Sequence, residues 1–373
     1  MMPLRYEEDV CRAWLASFQL PSEQLGDLLS RFEGRAAEIY RLFHEQDQLF
    51  REIIPPELRA HMIQNGGAAR MNEWADLLSR HRIQTVDFLD PRWPSLLGEI
   101  QDPPRILFYQ GNPDRLQAER KLAVFGSRRA SYLGQRAAAG LAKALSDAGV
   151  VIVSGLAYGI DTSAHQGCLQ GKSPTIAVMG CGLDQVYPAG NAKLKDAILA
   201  GGGLLISEYP PGEKPLSWHF PVRNRIISGL CSGVILMEAR LRSGSMRTVG
   251  HAADQGREVF AYPGDPESPA FEANWQLLRE GARFFTKPEH ILEDLGWLDN
   301  PAEVSHNIGC AQERNLPPEQ AAVLNALRRG ALGFDQLIAA TGLGAAGLMS
   351  ALTLMQIQGL VEALPGKMYQ IRR

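Results

Sequence analysis

The segment from Phe220 to Arg225 combines the side chains of this chain that are best suited to chemistry. Phe220 is followed by Arg223, Asn224 and Arg225, so an aromatic ring, two guanidinium groups and an amide stand close together. Arginines bind phosphates through paired hydrogen bonds, and an aromatic ring can stack on a nucleobase. These groups suit a sugar–phosphate chain with bases better than a small neutral metabolite. The alternative for Phe220 is a core phenylalanine.

A second group of such residues follows the apolar run 233–237. It joins cations to small hydroxyl and glycine residues: Arg240, Arg242, Ser243, Gly244, Ser245, Arg247 and Thr248. The apolar run is typical of a buried strand, and we expect a cationic loop on each side of it.

Two glycine-containing turns offer further anion sites. Gly126, Ser127 and Arg128 follow the apolar run 122–125, and Ser154 and Gly155 follow the run 150–153. Glycine lets the backbone approach a ligand, and N–H groups at a helix start favour anions. We therefore expect both turns to bind phosphate. The alternative is an ordinary strand-to-helix turn, with Asp161 capping the helix that follows the second.

Short apolar runs alternate with helical stretches between about 105 and 297, and these elements must position the candidate residues. The runs are 105–109, 122–125, 150–153, 175–179, 204–207, 234–237 and 258–261. Most are continuously apolar, as strands of a parallel sheet with both faces covered are. The pattern predicts a doubly wound α/β sheet with its ligand at the carboxyl ends of the strands.

The flanking segments differ from this core. We predict a helical, SAM-like domain over 1–84, the core over 85–299, a linker over 300–315 and a winged-helix domain over 316–373. The third helix of the winged-helix pattern, 345–358, contains no lysine or arginine. Recognition helices bring cations to DNA. We therefore expect this domain to contact protein, or only to pack, and a winged-helix transcription regulator is disfavoured.

Composition narrows the function further. The chain has 373 residues and a formal net charge of −3, which argues against coating duplex DNA by bulk charge. Its five cysteines form no CxxC pair, which indicates reduced thiols and a cytoplasmic protein. The N-terminal segment has no apolar stretch, so we expect no secretion signal, and no apolar run approaches the length of a membrane span.

Carboxylates near the strand ends raise the question of catalysis. Asp161, Glu208 and Glu238 are placed for acid–base work, but several arginines lie in neighbouring loops. We expect the carboxylates to orient these arginines and predict no catalytic residue. His165 has no second His or Cys at metal-binding spacing, so we predict no metal site.

Taken in order, the motifs of residues 85–290 resemble the DprA/Smf family of DNA-processing proteins. The matching strings are Asp90-Pro91-Arg92-Trp93-Pro94, Phe125-Gly126-Ser127-Arg128, Ser154-Gly155-Leu156-Ala157-Tyr158-Gly159-Ile160-Asp161, Met179-Gly180-Cys181-Gly182, Tyr187-Pro188, Ser207-Glu208-Tyr209-Pro210, Phe220-Pro221-Val222-Arg223-Asn224-Arg225, Ser243-Gly244-Ser245 and Gly256-Arg257-Glu258.

The resemblance implies an extended Rossmann-like core that binds single-stranded DNA without catalysis or cofactor. Such proteins protect incoming strands during natural transformation and load the RecA recombinase, so the expected partners are single-stranded DNA, RecA, a second copy of the chain and single-strand-binding protein. The implied DNA-binding residues are Gly126, Ser127, Arg128, Ser154, Gly155, Phe220, Arg223, Asn224, Arg225, Ser243, Gly244 and Ser245. This chain departs from the family's small apolar run after that loop by adding a cation, Arg247, which we expect to bind DNA as well. The implied contacts of the homodimer and of RecA are Trp275, Leu277, Leu278 and Phe284.

An enzyme on a similar sheet is the main alternative. Nucleoside-monophosphate phosphoribohydrolases carry a Pro-Gly-Gly-x-Gly-Thr motif followed by a glutamate. The nearest stretch here, residues 242–248, lacks the double glycine and that glutamate.

Overall fold

A computed structural model describes most of the chain in two compact units, one up to Trp297 and one from Leu298. The described residues are 6–45, 54, 56–65, 67–298, 317–327, 332–357, 361–364 and 368–371. The predicted linker, 300–315, lies outside them.

The described residues before the sheet are mainly helical. Their helices are α1 (Glu8–Ala16), α2 (Ser22–Arg31), α3 (Ala36–His44), α4 (Pro56–Asn65) and α5 (Ala68–His81). Their apolar faces surround Trp14 and share one core with Phe108 and Leu205 of the sheet. Helical structure before the sheet is therefore confirmed, and a domain boundary at residue 84 stays a prediction.

The sheet of the first unit has nine strands in the order β1-β2-β6-β5-β4-β3-β7-β8-β9. The strands are β1 (Gln84–Asp87), β2 (Ile106–Gly111), β3 (Lys121–Phe125), β4 (Val151–Ser154), β5 (Thr175–Val178), β6 (Leu204–Ser207), β7 (Gly233–Leu236), β8 (Glu258–Ala261) and β9 (Arg283–Phe284). In this sheet order, the seven strands from β6 through β5, β4, β3, β7 and β8 to β9 pair in parallel. Strand β2 pairs antiparallel with both β1 and β6. The predicted doubly wound, mostly parallel α/β sheet is confirmed.

Helices cover both faces of this sheet. They are α6 (Ser95–Gly98), α7 (Tyr132–Asp147), α8 (Ile160–Cys168), α9 (Ala192–Ala200), α10 (His219–Gly229), α11 (Ser245–Asp254), α12 (Glu272–Arg279) and α13 (Pro288–Asp294). Residues Ile226 and Ile227 of α10 pack in the core on the face opposite the N-terminal helices. The strand order reverses between β3 and β7, and ligands of doubly wound sheets bind outside such a reversal.

All seven predicted strands are present, but two assignments require correction. The segment predicted as a cationic loop before β7 is helix α10, and the loop after β7 gives way to helix α11 at Ser245. Strands β1 and β9 were not predicted. Each lies at an edge of the sheet, and neither is a continuous apolar run.

The second unit contains three described helices and a small antiparallel sheet. Its elements are α14 (Pro318–Leu327), β10 (Leu332–Gly333), α15 (Phe334–Thr341), α16 (Ala345–Ile357), β11 (Val361–Leu364) and β12 (Met368–Ile371). The strands lie in the order β10-β12-β11. Leu327, Leu337 and Leu352 form part of its core. The three helices followed by β11 and β12 match the predicted winged helix, whereas β10 was not predicted.

Candidate functional site

A cavity of about 580 Å³ opens at the reversal of strand order between β3 and β7. Its wall is formed by the turn after β3, the start of α8, one face of α10 and the segment that leads into α11. The lining residues are Phe125, Gly126, Ser127, Arg128, Arg129, Ala157, Asp161, Phe220, Pro221, Arg223, Asn224, Ile227, Arg240, Ser243, Gly244, Ser245 and Thr248. The sequence motifs therefore meet where a doubly wound sheet binds its ligand.

Helix α10 brings four of these side chains together by its periodicity. Phe220, Arg223, Asn224 and Ile227 stand at positions i, i+3, i+4 and i+7, which share one face of an α-helix, and all four line the cavity. The proline at position 221 is tolerated because it lies in the first turn, where backbone N–H groups have no partner within the helix.

Phe220 and Arg128 form the mouth of the cavity. The Arg128 guanidinium carbon lies 5.6 Å from the centroid of the Phe220 ring, and that of Arg223 lies 5.9 Å from it. Arg128 is exposed, whereas Phe220 is half-buried. A solvent-accessible cation and an aromatic ring thus lie side by side, as a phosphate and its adjacent base require.

Arg223 supplies a positive charge to the floor. Its side chain is buried and donates hydrogen bonds to the carbonyl oxygens of Val178 and, at 3.0 Å, of Gly155. Burial lowers its pKa to about 10, and Asp161 partly offsets this effect. Arg223 therefore stays charged near neutral pH.

Asp161 sets a carboxyl group beside that cation. Its Oδ2 atom accepts a hydrogen bond of 3.1 Å from the N–H of Gly155. Burial raises the pKa of Asp161 to about 6, and the nearby charge of Arg223 and the backbone hydrogen bonds oppose this rise. The carboxyl group therefore titrates close to physiological pH.

The start of helix α11 forms the opposite wall. The helix begins at Ser245, directly after Gly244, and both residues line the cavity. Thr248 stands three residues further on the same face. Since the N-terminus of a helix carries partial positive charge, this wall favours an anion next to Arg128.

Arg225 does not reach the cavity, which corrects the prediction that it lines the same groove as Arg223. Two residues along a helix turn the side chain to the far side. The Arg225 Nη1 and Nη2 atoms bind the two carboxylate oxygens of Glu208 at 2.5 and 2.9 Å, and Nε donates to the carbonyl oxygen of Asp102 at 2.9 Å. This paired contact confirms that Glu208 orients an arginine.

Ser154 and Gly155 lie beneath the cavity and do not line it. The Ser154 hydroxyl is buried and donates to the carbonyl oxygen of Val124 at 2.7 Å. A Cβ atom at position 155 would lie 2.6 Å from Nη2 of Arg223, so only glycine leaves room for that guanidinium. The second turn thus supports Arg223.

Arg247 and Glu238 also differ from expectation. Arg247 lies outside the cavity and lines a shallow depression beside Val222 and His251. Glu238 accepts hydrogen bonds from the Ser131 N–H and hydroxyl, at 2.9 and 2.6 Å. It therefore fixes the turn before α7 where an arginine partner was expected.

Several residues of the cavity were absent from the predicted DNA-binding set: Phe125, Arg129, Ala157, Asp161, Pro221, Ile227, Arg240 and Thr248. The spacing of Phe220, Arg223 and Ile227 is that of one face of a helix. This signal places Ile227 on the cavity face and Arg225 on the opposite face. In the described residues we find no group of three or more His, Cys, Asp or Glu side chains arranged to hold a metal.

A family model described as DNA recombination-mediator protein A matches residues 84–296. The chain belongs to this family, DprA. A second model, the DprA winged helix domain, matches residues 311–367. The DprA assignment therefore covers both the nine-stranded sheet and the second unit.

Curated relatives agree with this assignment. The chain is 46% identical over 213 residues to the DNA processing protein DprA of Streptococcus pneumoniae. The matched region covers 57% of this chain and 74% of the relative. It is 38% identical over 305 residues to protein Smf of Escherichia coli, covering 80% of each.

Solved DprA structures share the fold. The structure from Streptococcus pneumoniae has 37% identity and a TM-score of 0.64, and it covers 75% of this chain and 95% of that one. The structure from Helicobacter pylori has 29% identity and a TM-score of 0.52, and it covers 58% of this chain and 97% of that one. The latter was described for the single-stranded DNA binding mode of that protein.

The residues predicted for the DprA dimer and for RecA lie towards the β9 edge of the sheet, on α12 and β9. Phe284 is 63% exposed on the edge strand, and Leu278 is half-buried. Trp275 donates from Nε1 to the Gly264 carbonyl oxygen at 3.0 Å and lines an open cavity of about 790 Å³. Leu277 is buried in the core of the sheet, so the prediction that it contacts a partner is corrected.

Proposed function

We propose that this DprA binds single-stranded DNA in the cavity between β3, α10 and α11. The proposal rests on the contact between Arg128 and Phe220. It places a cation that can bind phosphate beside a ring on which a base can stack. The start of α11 at Ser245 adds a second site for a phosphate. The DprA of Helicobacter pylori, described for this type of binding, supports the proposal.

Duplex DNA fits these features less well. A base can stack on Phe220 only when it is unpaired and free to turn from its neighbours, as in a single strand. The net charge of −3 gives the chain no overall attraction for duplex phosphates, so binding depends on the cations of the cavity.

We further propose that the protein protects incoming strands and loads RecA during natural transformation and recombination, in the cytoplasm and without catalysis. Its partners would be RecA, single-strand-binding protein and a second copy of the chain. Trp275, Leu278 and Phe284 are our candidates for the self-association and RecA surface, because Phe284 exposes an apolar ring on an edge strand.

Fluorescence anisotropy with mixed-sequence oligonucleotides tests the binding proposal. Single strands and duplexes of equal length are compared at two salt concentrations. We expect tighter binding to single strands and an affinity that falls as salt rises. Equal or tighter binding to duplexes would contradict the proposal, and release of free base from a nucleoside monophosphate would instead support the phosphoribohydrolase alternative.

RecA loading and self-association are tested separately. We expect the protein to speed RecA-dependent strand exchange on single strands that are already covered by single-strand-binding protein. Phe284→Glu places a charge on the exposed edge and should shift the protein to the monomer in analytical ultracentrifugation. An unchanged rate of strand exchange would contradict the proposal that the protein loads RecA. An unchanged sedimentation coefficient would show that Phe284 does not lie in the dimer surface.

A further inference from the structure

Two exposed tyrosines continue the aromatic edge of the cavity beyond its lining residues. Tyr187 is 40% exposed and Tyr158 is 49% exposed. The ring centroid of Tyr187 lies 5.1 Å from that of Phe220, with the two planes tilted by 35°. Large rings left in solvent beside a binding cavity are typical of an interaction surface.

Hydrogen bonds hold Tyr158 next to the segment that carries Tyr187. The Gly190 N–H donates to the Tyr158 hydroxyl at 3.3 Å. The side chain of Asn191 donates to the Leu156 carbonyl oxygen and to the Thr162 hydroxyl, both at 2.9 Å. The two tyrosines therefore belong to one fixed surface.

The same surface is tied to the phosphate-binding turn. The N–H of Ile160, two residues after Tyr158, donates to the Ser127 carbonyl oxygen at 3.2 Å. Arg128 is the next residue along the chain. The tyrosines consequently lie beside the mouth of the cavity, on the side of Phe220 marked by Tyr187.

The cavity is too small to hold more than a few nucleotides, so a longer DNA strand must extend beyond it. A volume of about 580 Å³ lies within the range of about 300–1,000 Å³ found for small-molecule sites. It holds a short piece of a strand, and the remaining nucleotides must cross the rim. Where they cross at Tyr187, their bases meet exposed rings before they reach solvent.

We propose that Tyr187 and Tyr158 form a second base-stacking surface, which binds the nucleotides adjacent to the one at Phe220. This proposal rests on the proposed function. In this arrangement Arg128 and the start of α11 bind phosphates, and the rings of Phe220, Tyr187 and Tyr158 bind successive bases. Stacking tolerates any base, so the surface should add affinity without adding sequence preference.

The test measures the affinity of Tyr187→Ala and Tyr158→Ala for single-stranded oligonucleotides by fluorescence anisotropy. We expect each variant to bind about five- to tenfold more weakly, with an unchanged salt dependence, because stacking releases no counterions. Tyr187→Phe keeps the ring and should bind as the wild type does. An oligonucleotide of abasic sugar–phosphate units should bind Tyr187→Ala and the wild type equally.

Tyr132→Ala is the matched control. Its ring is also exposed, and it lies beside Arg136 on α7, so the variant should bind as the wild type does. Wild-type affinity in both Tyr187→Ala and Tyr158→Ala would overturn the inference, as would a loss in Tyr187→Ala that persists on the abasic strand. If Arg128→Ala still weakens binding in those cases, the proposed function stands and only this inference fails. If the wild type does not prefer single strands, both fail.

Discussion

The Arg128 guanidinium lies over the Phe220 ring, with its central carbon 5.6 Å from the ring centroid. The negative face of the ring attracts the cation. Since Phe220 lies on α10, this contact joins the turn after β3, our proposed phosphate site, to the helix that carries our proposed base-stacking ring.

Arg128→Ala should weaken binding of single-stranded DNA for all sequences alike. The variant removes one phosphate contact, so the slope of log affinity against log salt should become shallower by about 0.7, the value for one phosphate on a single strand. Anisotropy titrations at several salt concentrations measure both effects.

Arg80→Ala serves as the control for this loss of charge. Arg80 is exposed on α5 and pairs with Asp76 at 2.6 Å, so its removal changes the net charge equally but leaves the cavity intact. Equal salt slopes for Arg128→Ala and Arg80→Ala would exclude Arg128 from the phosphate site.

Phe220→Ala should weaken single-strand binding by about tenfold and leave the salt slope nearly unchanged, because stacking contributes affinity without releasing ions. Phe220→Tyr retains the ring and should retain most of the affinity. Because Arg128 contacts this ring, the double variant Arg128→Ala/Phe220→Ala should lose less affinity than the product of the two single losses. Strict additivity in this cycle would show that the contact does not contribute to binding.

Continuous apolar runs made the central strands predictable. Val151 to Val153 and Leu204 to Ile206, for example, have both neighbours in the sheet and both faces covered, so the strand can carry no polar face. The edge strands do not meet that condition. Gln84–Asp87 mixes polar and apolar residues, and Arg283–Phe284 contains only two. Periodicity cannot reveal such short or mixed segments.

The candidate site was predictable as a set of turns but not in its geometry. The glycine-containing turn at Ser127 follows a buried run, and the rule for parallel sheets places it at the ligand edge. Helix α10 was missed because Pro221, Val222, Ile226 and Ile227 favour extended structure locally, and tertiary packing of the two isoleucines overrides that preference. Without the helix, the opposite directions of Arg223 and Arg225 cannot be inferred.

Arg225→Ala should destabilise the fold and leave the cavity unchanged. The substitution leaves the largely buried Glu208 carboxylate without its paired hydrogen-bond donor. Breaking such a pair lowers the free energy of unfolding by about 3 kcal/mol. Urea unfolding measures the loss. At temperatures where the variant remains folded, its affinity for single-stranded DNA should match that of the wild type. A loss of affinity as large as that of Arg128→Ala, with the stability unchanged, would return Arg225 to the binding site.

Asp161 should make both stability and DNA binding depend on pH. Burial raises its pKa to about 6, so the folded state binds this proton more tightly than the unfolded state. The resulting stability is present below about pH 4 and is lost as pH rises through about 6. Arg223 stays charged over this range, because its pKa of about 10 lies well above it. His165 stays neutral, because burial, with a smaller effect of Arg223, lowers its pKa to about 3.

Asp161→Asn removes this titration and tests it. Relative to the wild type, the variant should gain on the order of 2 kcal/mol in the free energy of unfolding between pH 4 and pH 8, because the wild type must hold a buried carboxylate at the higher pH. Single-strand affinity of the wild type should fall over the same interval, since the ionised carboxylate repels phosphate at the cavity floor, and the variant should show a flatter profile. Parallel pH profiles for the two proteins, in urea unfolding and in anisotropy, would show that Asp161 does not titrate in this range.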